Sequence, residues 1–337
     1  MTRRQIIKSK EQNALSTPDN SYVVAVDIGG TNLRLALADR TGKVAARWSS
    51  LTAGSRGAAE IVNLIRSGID DLLCQTSITR EALRAMAVGV PGVSNVDDGV
   101  VIATSYLLGW RDVPLREMLE SAFNIPAAVD NDVNLAAIGE ASAGAVKGTS
   151  DFVFIAIGTG LGAGIILNDQ LFRGKNWSAG EIGYMLVPGV PDLPAGRGEP
   201  GGLESMIGGE GIKAEWQRQW REERTELSKD LTATEIFDGA LSGDRLAQSI
   251  LEQTARILAN AIYNIFLVLN CTVFVLGGSV GIHPALGEAT RRLLKEWDVR
   301  GNLQVMGSLL GKDAQLIGAI CLALSLGRSR SVFTLSR

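Results

Sequence analysis

The chain has 337 residues, 46% of them hydrophobic and 20% charged, with a formal net charge of −3. That length accommodates two domains sharing a cleft around sizeable cores, and the composition is ordinary globular. The mildly acidic balance argues against nucleic acid and membrane as partners.

In chain order, residues 1–20 read as a basic, solvated tail, because no apolar stretch of signal-peptide length follows Arg3, Arg4 and Lys8. Strands are expected at 22–28, at 33–39 and near 43–50. The apolar spacing of Ile61, Leu64, Ile65, Ile69, Leu72 and Leu73 predicts a helix from about Gly57 to Gln75. Ala85–Val90 is a short buried strand that ends in Gly89-Val90-Pro91-Gly92, and Val113-Pro114 opens a helix over 114–123. A strand at Ala127–Val129 runs into Asp130-Asn131-Asp132, and a helix follows from Val133 to about Gly144.

A strand, a glycine-threonine turn and a second strand then occur at Asp151–Ile157, Gly158-Thr159-Gly160 and Gly162–Leu167. They repeat the pattern of 22–39 about 130 residues later, the weak internal symmetry of a duplicated domain. Residues 187–204, rich in Gly and Pro, read as a long functional loop. A charged helix with Trp216 and Trp220 is expected over 212–228, and a long helix over about 244–267. That helix feeds a strand at 272–276 ending in Gly277-Gly278-Ser279. Helices at 284–296 and 313–326 complete the chain, the last packing back on the first half. The longest apolar stretch, Ile262–Val275, is broken by Asn264, Asn270 and Thr272 and is too short and polar to span a bilayer.

The chemistry concentrates in Val23–Asp39, where an apolar run enters Asp27-x-Gly29-Gly30-Thr31-Asn32 and resumes beyond it. Paired glycines let main-chain N–H groups approach a ligand, and Thr31 and Asn32 add side-chain hydrogen bonds. Asp27 places a charge at a strand end, where a hydrated Mg²⁺ could be held. A plain Gly-Gly hairpin turn is the competing reading.

The series Gly158-x-Gly160-x-Gly162-x-Gly164 resembles a dinucleotide fingerprint, but a strand follows it and not the helix that fingerprint requires. No P-loop sequence is present. Two glycine-threonine hairpins facing one cleft instead suit the phosphates of a single nucleotide. Gly277 and Gly278 offer a third close approach beneath the adenosine, or simply end a strand.

Three cysteines (Cys74, Cys271, Cys321) without a CxxC pair fit a reducing, cytoplasmic compartment. The single histidine, His283, leaves no Cys/His zinc framework and has no nucleophile motif beside it.

Taken in order, the chain carries Asp27-x-Gly-Gly-Thr-Asn, Gly89-Val-Pro-Gly92, Gly109-Trp110-x-x-Val-Pro-Leu115, Asn131-Asp132-x-Asn134 and Ile157-Gly-Thr-Gly160. It continues with Ala179-Gly-Glu-Ile-Gly183, Gly202-Leu-Glu204, Leu276-Gly-Gly-Ser279 and Ala314-x-Leu-Ile-Gly318. Together, from about residue 22 to 324, these resemble the ROK family of bacterial sugar kinases and sugar-responsive repressors. The resemblance implies an actin-like ATPase (ribonuclease H-like) α/β fold with two domains around a cleft holding ATP and a sugar. A small domain would comprise 21–126 plus 313–330 and a large one 127–312.

The resemblance makes Asp132 the general base, with Asp130 as a competitor two residues earlier; a helix N-cap is the alternative role for Asp132. It assigns the sugar to Gly92, Asn131, Asp132, Glu181, Tyr184 and Glu204. Phosphate and nucleotide contacts fall to Asp27, Gly29, Gly30, Thr31, Asn32, Gly158, Thr159, Gly160, Gly277 and Gly278, with Mg²⁺ held through water at Asp27. Without the resemblance, Glu181 and Glu204 would read as solvated surface.

Two departures stand out. The family's zinc-binding His position is Tyr184, and its cysteine cluster is replaced by Gly196-Arg-Gly-Glu-Pro-Gly-Gly-Leu203, so no zinc site is expected. Tyr106 stands where the family often has a sugar-binding Asn.

The expected function is therefore ATP-dependent phosphorylation of a hexose, glucose at its 6-hydroxyl by default, in a homodimer. A non-catalytic or regulatory sugar binder is the alternative. A repressor's helix-turn-helix module does not fit the roughly 20 residues ahead of the first strand.

Overall fold

A computed structural model describes residues 21–52, 57–104, 107, 109–191 and 199–326. The expected tail, Tyr106 and residues 192–198 of the Gly/Pro-rich loop lie outside them. The elements run β1 (Tyr22–Ile28), β2 (Asn32–Asp39), β3 (Val44–Leu51), α1 (Ala58–Thr76), β4 (Leu83–Val90), β5 (Val93–Asn95), β6 (Val100–Ala103), β7 (Arg111–Val113), α2 (Leu115–Phe123), β8 (Ala127–Asn131) and α3 (Asp132–Ala143). They continue with β9 (Phe152–Ile157), β10 (Leu161–Leu167), β11 (Gln170–Leu171), α4 (Glu204–Ile207), α5 (Gly209–Gln219), α6 (Ala233–Leu241), α7 (Arg245–Leu269), β12 (Val273–Gly277), α8 (Gly278–Gly281), α9 (Pro284–Trp297), β13 (Gln304–Gly307) and α10 (Ala314–Leu326).

Two five-stranded sheets share one plan. The first has the order β3-β2-β1-β4-β8, the second β11-β10-β9-β12-β13. In each, three antiparallel strands at one edge are followed by two strands parallel to the first. The duplication suggested by the two glycine-threonine hairpins is thus carried through the whole sheet topology.

Sequence periodicity explains which face goes where. On β1, Val24, Val26 and Ile28 point into a core shared with α1 and α2, while Val23 and Ala25 point to the opposite face. That opposite face is lined by Ala25, Ala36, Ala38, Ala85, Ala87 and Ala128, small residues that let α3 and α10 lie close to it. On the second sheet, Phe152, Phe154 and Val275 meet Ala136, Ala137 and Ala141 of α3, while Val153, Ile155 and Phe274 face the α5–α9 side. α3 therefore lies between the two sheets and is buried from Asn134 to Ala141, as expected of a helix apolar on nearly all sides. It crosses α10 at glycines. A Cβ on Gly139 would sit 2.3 Å from the Ala314 carbonyl oxygen, and one on Gly318 would sit 1.7 Å from that of Leu135.

The structure revises four expectations. The charged helix over 212–228 is shorter: α5 ends at Gln219, where Trp220 turns extended. The chain folds back so that the indole N–H groups of Trp216 and Trp220 donate to the carbonyls of Ser228 (3.1 Å) and Leu227 (2.8 Å). α6, begun by a Thr232/Glu235 capping box, was not anticipated, and neither was the small β5-β6-β7 sheet. Finally, β8 is bonded into the first sheet beside β4. A division at 126/127 would cut through that sheet, and the change from one sheet to the other falls after Asn131.

Candidate active site

The first glycine turn hangs between β1 and β2. Register pairs Ile28 with Leu33 and Asp27 with Arg34, so Gly29–Asn32 project beyond the sheet, and Gly30, Thr31 and Asn32 are exposed. The turn closes through Gly29 N–H to the Asn32 carbonyl at 2.8 Å. Thr52, just past β3, donates its main-chain N–H to the Thr31 carbonyl (2.8 Å) and its hydroxyl to the Gly29 carbonyl (3.1 Å).

The second turn, Gly158–Gly160, occupies the same place on the second sheet and exposes Thr159. The Gly158 carbonyl accepts the N–H of Gly209 at the start of α5 (2.7 Å). Beside it, Gly277 and Gly278 make the step from β12 into α8. A Cβ on Gly277 would strike the Phe154 ring at 2.2 Å. Gly278 holds φ +77° with the Ile157 carbonyl oxygen 2.3 Å from its Cβ position. Packing and backbone conformation alone therefore demand glycine at both positions.

Four carboxylates converge between the turns. Asp27, at the end of β1, is buried and accepts both Nε (2.9 Å) and Nη2 (2.5 Å) of Arg34 on Oδ2. Burial raises its pKa, opposed by the Arg34 charge. Asp132 opens α3, half-buried, and Gly89 of β4 packs beside it, with the Leu135 Cδ1 3.0 Å from the Gly89 Cβ position. Burial pushes the Asp132 carboxyl up to about 7, with the negative charges of Asp27 and then Glu181 adding to the rise and the Val133 N–H opposing it. Glu181 is itself raised, by burial and by the charge of Glu204. Glu204 starts α4 and accepts the Leu161 N–H on Oε2 at 2.7 Å.

The two glutamates are brought together by backbone contacts only glycine permits. A Cβ on Gly201 would be 2.1 Å from the Gly183 carbonyl oxygen and 2.6 Å from the Tyr184 nitrogen. One on Gly183 would be 2.9 Å from the Leu161 oxygen and 3.3 Å from the Glu204 Cβ. Tyr184 ends this turn with half of its surface exposed.

The structure bears on three of the alternatives raised by the sequence. The helix cap belongs to Asn131, whose Oδ1 accepts the N–H groups of Val133 (2.8 Å) and Asn134 (3.1 Å), while its Nδ2 donates to the Gly92 carbonyl at 2.9 Å. Asn131 and Gly92 are thus tied to each other and to the fold as well as lying beside the site. Gly92 itself needs its φ of +95°, with the Ala103 oxygen 2.3 Å from its Cβ position. Asp130, the competing base, is 1% exposed and fully engaged by Asn131, Asn134 and Arg173. His283 caps α9 through Nδ1 and meets Asp238 through Nε2 (3.2 Å), so both ring nitrogens have structural partners.

Arg34 and Arg173 escaped the sequence reading. Arg34 was discoverable, since the hairpin register sets it opposite Asp27. Arg173 lies 43 residues from Asp130 with no local signal.

An Mg²⁺ ion retains several waters and needs one or two carboxylates beside substrate phosphates. Asp27, with Arg34 on one oxygen, fits that demand. Among the described residues no group of three or more His, Cys, Asp and Glu side chains is placed to hold a metal by itself.

Residues 23–325 match the ROK family. The chain belongs to that family. A glucokinase from Halalkalibacterium halodurans is 32% identical over 311 residues, covering 88% of this chain and 93% of that protein. An N-acetylmannosamine kinase from Escherichia coli O6:H1 is 28% identical over 298 residues, covering 88% and 96%. The crystal structure of a ROK family glucokinase from Streptomyces griseus in complex with glucose and AMPPNP superposes with a TM-score of 0.77 at 26% identity. It covers 90% of this chain and all of that one. The two matched sheets are those of the actin-like ATPase fold, and this ROK protein is a glucokinase-like sugar kinase.

Proposed function

We propose that the protein transfers the γ-phosphoryl group of ATP to a hexose, with glucose and its 6-hydroxyl as the first candidate and Asp132 as general base. The observation that carries this reading is a half-buried Asp132, raised to about 7 and set within electrostatic reach of Asp27 on one side and Glu181 on the other. Glu181 and Glu204 accept hydrogen bonds from sugar hydroxyls, with Asn131, Gly92 and Tyr184 along the same wall. The two glycine turns, Gly29–Asn32 and Gly158–Gly160, offer N–H groups to the phosphates, and Gly277-Gly278 lies under the adenosine.

A carboxylate at Asp132 removes the hydroxyl proton as the sugar oxygen forms its bond to phosphorus and the bond to the ADP oxygen breaks. Mg²⁺ held through water at Asp27 would neutralise charge on the phosphates. Two domains, 21–131 with 313–326 and 132–312, close to exclude water from the reaction. The protein works as a homodimer in the cytoplasm; exposed apolar side chains at Leu186, Leu267 and Val268 support the oligomeric part of this reading.

The test is a coupled assay of ADP release with glucose, mannose, fructose, allose, N-acetylglucosamine and N-acetylmannosamine. Sugar-dependent turnover with glucose leading supports the proposal. Leading turnover with another hexose overturns the substrate assignment. Saturable sugar binding without turnover overturns the catalytic one.

A further inference from the structure

One ion pair joins the two sheets directly behind the proposed base. Asp130 is the penultimate residue of β8, two residues before Asp132, and its side chain is buried. Every contact on it is a donor. Oδ1 accepts the Asn131 N–H (2.8 Å) and the Asn134 amide (3.0 Å), and Oδ2 accepts Nε (3.1 Å) and Nη2 (2.5 Å) of Arg173. Arg173 extends from the edge of the other sheet. It follows β11, and its neighbour Phe172 donates its N–H to Ile165 of β10 at 2.8 Å.

Arg173 is also the first residue of the loop that ends at Glu181. The loop is closed on itself, since the Ala179 N–H donates to the Arg173 carbonyl at 3.1 Å. Its far end is fixed to β10. The Gly180 carbonyl accepts the Ala163 N–H at 2.8 Å, and a Cβ on Gly180 would lie 1.9 Å from the Ala163 oxygen. A single closed loop thus grips the junction of β8 and α3, beside Asp132, with its first residue and presents Glu181 with its last.

Asp130 holds the peptide of Asn131 through that residue's N–H, so the orientation of the 130–132 segment depends on where the Asp130 carboxylate is kept. A carboxylate buried this deeply needs a counter-charge, and a two-nitrogen guanidinium contact fixes direction as well as charge.

We propose that Arg173 is a positioning residue for phosphoryl transfer: by clasping Asp130 across the two sheets it aims Asp132 at the sugar hydroxyl that Glu181 helps to hold. This rests on the kinase reading above.

The experiment compares full-length wild type with Arg173→Gln, Arg173→Lys, Asp130→Asn and the double variant Arg173→Gln/Asp130→Asn. Each is measured for kcat, for KM and calorimetric Kd of the hexose that turns over, and for thermal midpoint. Displacing a reacting group by about 1 Å can cost ~100-fold in rate. Arg173→Gln is therefore expected to lower kcat ~10- to 100-fold with hexose Kd within about threefold. Arg173→Lys recovers part of kcat, since one ammonium cannot supply both contacts. The double variant, with a neutral amide pair and no stranded charge, recovers kcat to within about fivefold of wild type.

Wild-type kcat in Arg173→Gln overturns the proposal. So does a double variant no faster than Arg173→Gln, or a loss confined to hexose Kd. If Arg173→Gln does not fold, wild-type kcat in Arg173→Lys, or a double variant more than about fivefold slower than wild type, overturns the proposal. Absence of hexose-dependent turnover in the wild type overturns the kinase reading and this proposal together, whereas an active wild type with an active Arg173→Gln overturns this proposal alone.

Discussion

Asn131 relieves Asp132 of capping α3. The Asn131 side chain takes the Val133 and Asn134 N–H groups and anchors itself on the Gly92 carbonyl, while Asp132 shares the Val133 N–H, at 2.9 Å through Oδ1. Asn131 thus carries most of the capping, although both residues stand at the same helix terminus.

That division predicts the behaviour of Asp132→Asn. The cap persists, so the fold and hexose binding persist, while kcat falls by about 10²–10⁴-fold, the usual contribution of a general base. Calorimetric hexose binding beside the ADP-release assay checks it. Retained turnover would remove Asp132 from the reaction.

The raised pKa gives a second prediction. A general base at Asp132 would act only when ionised, so kcat/KM for the hexose should climb with pH and level off above about 7. Stability moves the opposite way. The folded state holds this proton more tightly than the unfolded chain does, whose carboxyl stays near 3.8. Unfolding free energy is therefore lost as pH rises from 3.8 to about 7. Asp132→Asn should be more stable than wild type at pH 8, on the order of 1–3 kcal/mol, and no different at pH 3. Chemical denaturation at the two pH values measures this; equal stability at pH 8 contradicts the burial argument.

The Gly183–Gly201 contact is the third test. Gly201→Ala places a methyl 2.1 Å from the Gly183 oxygen and must push the 181–184 turn away from α4. The hexose KM should rise at least ~10-fold as Glu181 and Glu204 separate, while the ATP KM stays within about threefold. An unchanged hexose KM would detach these glutamates from sugar binding.

The sequence made the frame legible because apolar alternation and glycine punctuation are local signals. Both hairpins, the Asp132 helix start and the return of α10 to the first sheet, through Leu316, Ala319 and Ile320, were readable in this way. Long-range relations were not. Nothing near Asp130 announces Arg173, and Gly183 and Gly201 come together only through tertiary packing. Trp216 and Trp220 carried the periodicity past Gln219 because their indoles pack as helix residues do, while the chain turns to meet them. The division between Asn131 and Asp132 was equally hidden, since Asp and Asn are both good caps.

A fourth prediction concerns metal. Asp27 is one carboxylate, paired with Arg34, and suits a hydrated Mg²⁺ bound together with nucleotide. Protein stripped with strong chelator should keep its fold, measured by circular dichroism, and regain full turnover on adding Mg²⁺ alone. Asp27→Asn should lower kcat by about 10²-fold and raise the Mg²⁺ needed, with hexose Kd unchanged. Activity recovered only by zinc would contradict the reading of Tyr184 and the cysteine-free loop.

The last prediction addresses what holds the two sheets in register. Glu140, on α3, is completely buried and surrounded by donors. Oε2 accepts the N–H groups of Ala145 (2.7 Å) and Leu309 (3.3 Å), and Oε1 accepts that of Leu310 (2.9 Å) together with the Ser308 hydroxyl. The carboxylate fastens the turn between β13 and α10 to the helix that α10 crosses at Gly139 and Gly318. Glu140→Gln keeps the size but turns one acceptor into a donor facing N–H groups. At least one buried donor is then left unmatched, and the expected cost is about 2–3 kcal/mol, or a fall of roughly 5–10 °C in Tm. Because α10 also supplies Gln315 and follows the Lys312 carbonyl, both bonded to Arg34, the variant should weaken the hold on Asp27 as well. Its kcat should fall before the protein unfolds, at temperatures where circular dichroism is still native. A Tm equal to that of wild type would show that the turn is held by its backbone alone.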